Sequence, residues 1–275
     1  MIAAALAARR AVIAASTRRR HRRRLPLAAP PSGAIVTLHR AMRALSRDLD
    51  LAILDELATA GLVRVDADGT LPPLDLGARL SRAVAAVLRR RPMLSVFDKV
   101  FGAIAAHSGR QWAAQTQSLG VAVFADPDLA LQRDTFREES LSLITSLAAD
   151  KVQRVERVLV EHAGARVEEI AARIRDTTGA TESRATLIAR DQVLKANASV
   201  TQARHQAAGV VEHVWRTSRD ERVRDRHREL DGTRHPYASP PVVDLRSGRR
   251  AHPGGDYQCR CTAEPVIPGF DDAAP

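Results

Sequence analysis

The chain is poor in the residues that supply most small cores and most catalytic centres. Aromatics make up 3% of its 275 residues, and there are two cysteines, Cys259 and Cys261. An interior short of rings must be built from Ala, Leu, Val and Ile, which favours closely packed helices over a β-sandwich. Two cysteines separated by one residue exclude a secreted disulfide framework, since such neighbours make poor partners for each other. A reducing compartment or a metal suits them better. No run reaches the roughly 18–20 apolar residues that a membrane span needs. Arg9 and Arg10 interrupt the first apolar run too early for a secretory signal, and no small-residue cleavage site ends a longer one, so a soluble protein is expected. The motifs G-x-S-x-G, H-E-x-x-H and the phosphate loop are all missing.

Acidic residues are absent from the first 24 positions, which hold eight arginines, among them Arg18, Arg19, Arg20, Arg22, Arg23 and Arg24. The net charge is +10, so these eight leave only +2 for the remaining 251 residues. The basic character belongs to a tail, not to the folded body. A tail of this kind contacts DNA non-specifically by neutralising phosphates, or else is simply a solvated leader.

What is abundant is helix text. A Pro-rich linker closes the tail at about Gly33. Leu38, Met42, Leu45, Leu49, Ile53 and Leu57 then recur in steps of three and four, which predicts a helix over 34–61. Val65 to Pro73 reads as a loop. Helices are expected over 74–91, over 92–119 with Pro92 in the first turn, and from beyond Asp128 to His162, where Leu143, Leu147, Val152, Val155 and Leu159 form the stripe. Gly164 would end that helix, a short one would stop near Gly179, and Thr181 would cap another running to Ala208. Val210 to Thr217 reads as a strand. Ser218 and Glu221 form a capping box for a helix over 219–230, ended by Asp231-Gly232. Residues 233–258 read as loop and 258–266 as a short strand. The expected class is α+β: a mainly α-helical N-terminal half with a small C-terminal α+β module. The expected segments are a basic tail and linker (1–33), a helical domain (34–163) and the module (164–275).

The chemistry-bearing residues concentrate in the module. Val223, His227 and Leu230 share one helix face, so His227 points inward. Cys259 and Cys261 would leave one face of a strand together. One imidazole and two thiols supply three ligands of a tetrahedral zinc site, with His252, His235, Asp220 or water as the fourth. The alternative is that they pack as ordinary core, which is what inward histidines and free cysteines usually do. His227-Arg228-Glu229 is also H-x-E, as in zinc deaminases, but those need P-C-x-x-C, whereas here Gln258 precedes Cys259 and the gap is one residue short. The arginines of 216–228 alternate with Asp220, Glu221, Asp225 and Glu229. That favours a salt-bridged, solvated face over a nucleic-acid surface.

Several of these residues together resemble a known family. They are Ile188-Ala189-Arg190, Asn197, the strand after Gly209 that ends in Trp215, and the run Thr217 to Gly232 with Asp220, Arg222, Arg224, His227 and Gly232. His252-Pro253-Gly254 and Cys259-Arg260-Cys261 before Pro265 complete the set. Over roughly 136–265 the chain resembles the phage Mu F-type minor head proteins, the phage head morphogenesis family. It departs from the family at Asp191-Gln192, where Thr-Glu is common. The resemblance implies a structural protein of the virion or procapsid, present in the host cytoplasm during assembly. It would associate with portal, scaffold or other capsid proteins and have no catalytic residue to carry over. Zinc is the one cofactor the residues suggest. Since some domains of this type are fused to toxins, a zinc-dependent effector enzyme, deaminase- or nuclease-like, stands as the alternative.

Overall fold

The computed structural model describes residues 28–60, 75–118, 127–162 and 167–267. The arginines of the tail, the loop expected at 65–73 and Gly164 lie outside the described residues. Five long helices come first: α1 (Ser32–Thr59), α2 (Leu76–Arg90), α3 (Met93–Ser118), α4 (Ala130–Glu161) and α5 (Val167–Ala207). The C-terminal elements are short: β1 (Glu212–Arg216), α6 (Asp225–Leu230), β2 (Arg234–Pro236), β3 (Val242–Asp244), β4 (Arg249–Arg250) and β5 (Thr262–Pro265). This is the expected α+β arrangement. Among the described residues no helix is long and apolar enough to cross a membrane.

The described residues form two compact units interleaved along the chain, one from 33–100 and 134–192, the other from 28–32, 101–133 and 193–267. The segments read from the sequence and these spatial units divide the chain differently, because α3, α4 and α5 each contribute to both. The first unit is all helix. Leu38, Met42, Leu45, Leu49, Ile53 and Leu57 of α1 are all buried, as their spacing requires. On α4 the buried member of the stripe is Ile144 in place of Leu143. Lys151 of α4 is also buried. Its ammonium pairs with Asp50, and desolvation pushes its pKa down to about 8.

The second unit carries the module. β1 is the central strand of a three-stranded antiparallel sheet in the order β2-β1-β5. Its side chains alternate, so His213 and Trp215 are buried on one face while Glu212, Val214 and Arg216 are half-buried on the other. His213 pairs in register with His235 on one side and Pro265 on the other. A second, two-stranded sheet joins β3 to β4.

Three local expectations are corrected. First, α5 runs unbroken through Gly179 to Ala207. A glycine inside a helix costs only about 1 kcal/mol, and the Ala-, Arg- and Leu-rich flanks carry it through. Second, the helix expected from Arg219 is confined to Asp225–Leu230. Arg219 stands at φ 55, and Asp220 is drawn into a two-pronged ion pair with Arg260, so the Ser218–Glu221 box opens no helix. Third, 233–258 is not wholly loop, since it supplies β2, β3 and β4. Those strands are two or three residues long, too short for alternation to reveal them.

Candidate metal centre in the C-terminal module

Two turns bring the candidate ligand residues together. Asp231-Gly232 ends α6, with Gly232 at φ 81 donating its N–H to the Trp215 carbonyl at 2.8 Å, and Trp215 donating to Thr233 at 2.9 Å. This lays α6 against β1. Trp215, fully buried, packs edge-to-face on His227, with ring centroids 5.3 Å apart, in a core shared with Leu230, Val243, Cys259 and Cys261.

The second turn is the His252–Cys259 segment. Gly255 donates to the His252 carbonyl and Cys259 to that of Asp256, while Gln258 takes φ 50. Cys259 and Cys261 therefore precede β5 instead of lying on it, yet their sulfurs still converge. Gly254 stands at φ 83, and its N–H meets Cys259 Sγ at 3.4 Å. A Cβ there would lie 2.9 Å from the Ala198 Cβ and 3.3 Å from the Cys261 carbonyl. Gly248, at φ 69, has open space around it. Gly254→Ala is expected to cost about 3 kcal/mol, and Gly248→Ala only the about 1–2 kcal/mol of an L-residue in that conformation. Denaturant midpoints of the two variants check this; equal midpoints would remove the packing contribution.

His227 Nδ1 lies 3.6 Å from Cys259 Sγ and 3.6 Å from Cys261 Sγ. The three ligand atoms are within 4.8 Å of one another, and the residues are only 2%, 3% and 6% exposed. The other imidazole nitrogen, Nε2, sits 3.2 Å from Asp256 Oδ2 and so donates to it, leaving the Nδ1 lone pair facing the two sulfurs. Asp256 is itself buried and held by Arg224 (Nη1 to Oδ2, 2.8 Å) and Arg249 (Nη2 to Oδ1, 2.9 Å). The two thiols divide their acidities. A hydrogen bond from Cys261, aided by His227, draws Cys259 down to about 5, while its bond to Cys259 and burial push Cys261 up.

The residues expected as a fourth ligand are engaged elsewhere. Asp220 is held by Arg260, which keeps its carboxyl below the usual range. His235 Nε2 is 2.7 Å from the Thr233 hydroxyl, and His252 packs on His213 and Tyr237. Glu229, the acid of H-x-E, is exposed and paired with Arg226, away from His227. Arg228 pairs with Asp225, so the arginine-rich face is internally salt-bridged. Arg222 is exposed, its N–H bonded to Asp220 Oδ1, and Arg190 is half-buried on the part of α5 that belongs to the other unit.

Two features were not found by spacing. Asp256 lies in a Gly-rich loop with nothing to mark it as the partner of a histidine 29 residues earlier. A second cluster joins His205, His213, His235, Tyr237 and His252, with the His213 ring 4.6 Å from Tyr237 and 5.2 Å from His252, and His205 Nδ1 2.6 Å from the Tyr237 hydroxyl. The register of β1 with β2 assembles it, and no local pattern announces that register.

Residues 153–264 match the family model described as Phage Mu protein F like protein. A Haemophilus influenzae (strain ATCC 51907 / DSM 11121 / KW20 / Rd) protein, described as an uncharacterized protein, is 36% identical over 143 residues. That alignment takes in 51% of this chain and 31% of the relative, so the chain spans about a third of the relative's length. No solved structure matches.

Proposed function

We propose, from the match of residues 153–264 to the phage Mu protein F-like family model, that the protein acts in phage or prophage head morphogenesis, as a minor structural protein of the procapsid or virion. The family match is the observation that carries this reading. It covers the last nine residues of α4, all of α5 and the module as far as β5, which is the part with the most specific sequence. In this reading the helical segments dock on portal or scaffold, and the basic leader contacts packaged DNA. The leader's eight arginines without an acid support the second point, since such a segment binds phosphates with steep salt dependence. No specific observation favours the effector-enzyme alternative.

The test is protein composition. Particles and procapsids purified from a lysate that expresses the chain beside its capsid genes are expected to contain it, together with portal protein. Its absence from both, with the chain present in the soluble lysate, overturns the reading. Removing residues 1–24 is expected to lower DNA binding at low salt and to leave incorporation into procapsids unchanged.

A further inference from the structure

We propose that His227, Cys259 and Cys261 bind one zinc ion, which clamps α6 to the segment entering β5 and so closes the module. This inference is independent of any role in head assembly. It rests first on distances. Zinc–sulfur bonds of about 2.3 Å and zinc–nitrogen bonds of about 2.0–2.1 Å at a tetrahedral angle place sulfur and nitrogen about 3.5–3.6 Å apart. The structure places Nδ1 at 3.6 Å from each of the two sulfurs. One imidazole nitrogen held equally close to two sulfurs is the arrangement that a shared cation needs.

The orientation of the histidine is a second, separate observation. Metal-bound imidazoles almost always donate their other N–H to a carboxylate or carbonyl, which sets the tautomer. Asp256 accepts that hydrogen bond here, and it is fixed by Arg224 and Arg249. The Gly254 N–H aimed at Cys259 Sγ is a donor of the kind that supports a bound thiolate.

Charge gives the third argument. Two thiolates and one divalent ion sum to zero, so the filled site is neutral and its burial tolerable. Mixed nitrogen and sulfur ligands suit zinc, whereas carboxylate and carbonyl sets suit magnesium and calcium.

The fourth ligand position has room for a water. A cavity of about 30 Å³ is lined by Asn197, Gly254, Cys259 and Cys261 among others. That is room for one water. Asn197 Oδ1 is buried and has no hydrogen-bond partner among the described residues, which leaves it free to accept from a water there. The cavity has no volume for a substrate, so the ion's work is structural.

The test uses the full chain, purified without chelator and assayed for metal by mass spectrometry. Stoichiometric zinc is expected. Replacement by cobalt is expected to give the near-ultraviolet thiolate-to-cobalt absorption and the intense visible bands of a tetrahedral site. Stripping the wild-type protein with a chelator is expected to lower the melting temperature reversibly, a measurement that needs no variant to fold. Cys259→Ser, Cys261→Ser and His227→Gln are expected to lose the zinc, Asp256→Asn to bind it about 10- to 100-fold more weakly, and His213→Phe to keep it. Three results overturn the proposal: no zinc together with no thiolate–cobalt absorption on titration, copper or iron in zinc's place, or zinc that survives both cysteine substitutions and leaves with His213→Phe.

Discussion

Lowering the pH from 7 to 5 is expected to cost the C-terminal unit about 4 kcal/mol of stability, a large share of the 5–15 kcal/mol of an ordinary domain. The cause is the second histidine cluster. His205 and His213 are 1% and 0% exposed, and burial pushes the pKa of each down to about 3 from 6.5. Neighbouring histidines add to the fall: His213 acts on His205, while His252 and His235 act on His213. Above pH 6.5 the rings are neutral in both folded and unfolded chains, so they contribute no pH dependence. Between 6.5 and about 3 the unfolded chain takes up protons that the folded chain refuses, at about 1.4 kcal/mol per group per pH unit. Stability therefore falls as pH falls through that window.

The two tryptophans, Trp112 and Trp215, both belong to this unit, so their fluorescence in a denaturant series at pH 5, 6 and 7 reads it directly. His213→Phe sharpens the measurement. Neither ring nitrogen of His213 has a hydrogen-bond partner among the described residues, so a phenyl ring against Tyr237 loses nothing polar. At pH 5 the variant is expected to exceed the wild type by about 2 kcal/mol, with the gap closing by pH 7. Equal stability of the wild type at pH 5 and 7 would sink the argument. Loss of a metal in acid affects both proteins alike and so cancels in the comparison.

The contrast between what was legible in the sequence and what was not is physical. The buried stripe of α1 is local: 3.6-residue periodicity along one helix states which residues face inward, and all six do. The strand that ends in Trp215 and the stop at Asp231-Gly232 are local too, one from β-branched and aromatic residues and the other from a glycine at positive φ. His227, Cys259 and Cys261 were legible as residue types that bind metals, although the expected mechanism of convergence, two cysteines on one strand face, is replaced by a loop with Gln258 at positive φ. Misreadings arose where a distant partner outweighs a local rule. The S-x-x-E box is a sound local signal, but Asp220 is bound by an arginine 40 residues away, and the helix starts five residues later than Asp220. The stop at Gly179 yielded to helix on both sides. Asp256 and the histidine cluster depend on sheet register and on a loop closure, which no window of sequence contains.

Asp256→Ala is the other substitution expected to act strongly, at about 3–5 kcal/mol, because this carboxylate is a hub rather than one member of a pair. It is 2% exposed and joins four pieces of the module: Arg224 before α6, His227 on α6, Arg249 on β4, and its own turn leading to Cys259. Removing it leaves a buried imidazole N–H without an acceptor and two guanidiniums without their shared counter-charge. The side chains of Arg224 and Arg249 are 47% and 40% exposed and can turn to water, which places the cost toward the lower end of that range. Asp256→Asn separates shape from charge. It fills the same space and can still accept from His227 Nε2, so it is expected to recover more than half of the loss while weakening the arginine contacts. Unfolding in guanidinium, followed by tryptophan fluorescence, gives both numbers. The same order, wild type above Asn above Ala, is expected in protein stripped of metal, because the hub acts through packing and charge even where the sulfurs hold nothing. If Ala and Asn unfold together with the wild type, the two guanidinium contacts and the imidazole contact contribute nothing to the module's stability, and the orientation of His227 must come from Trp215 alone.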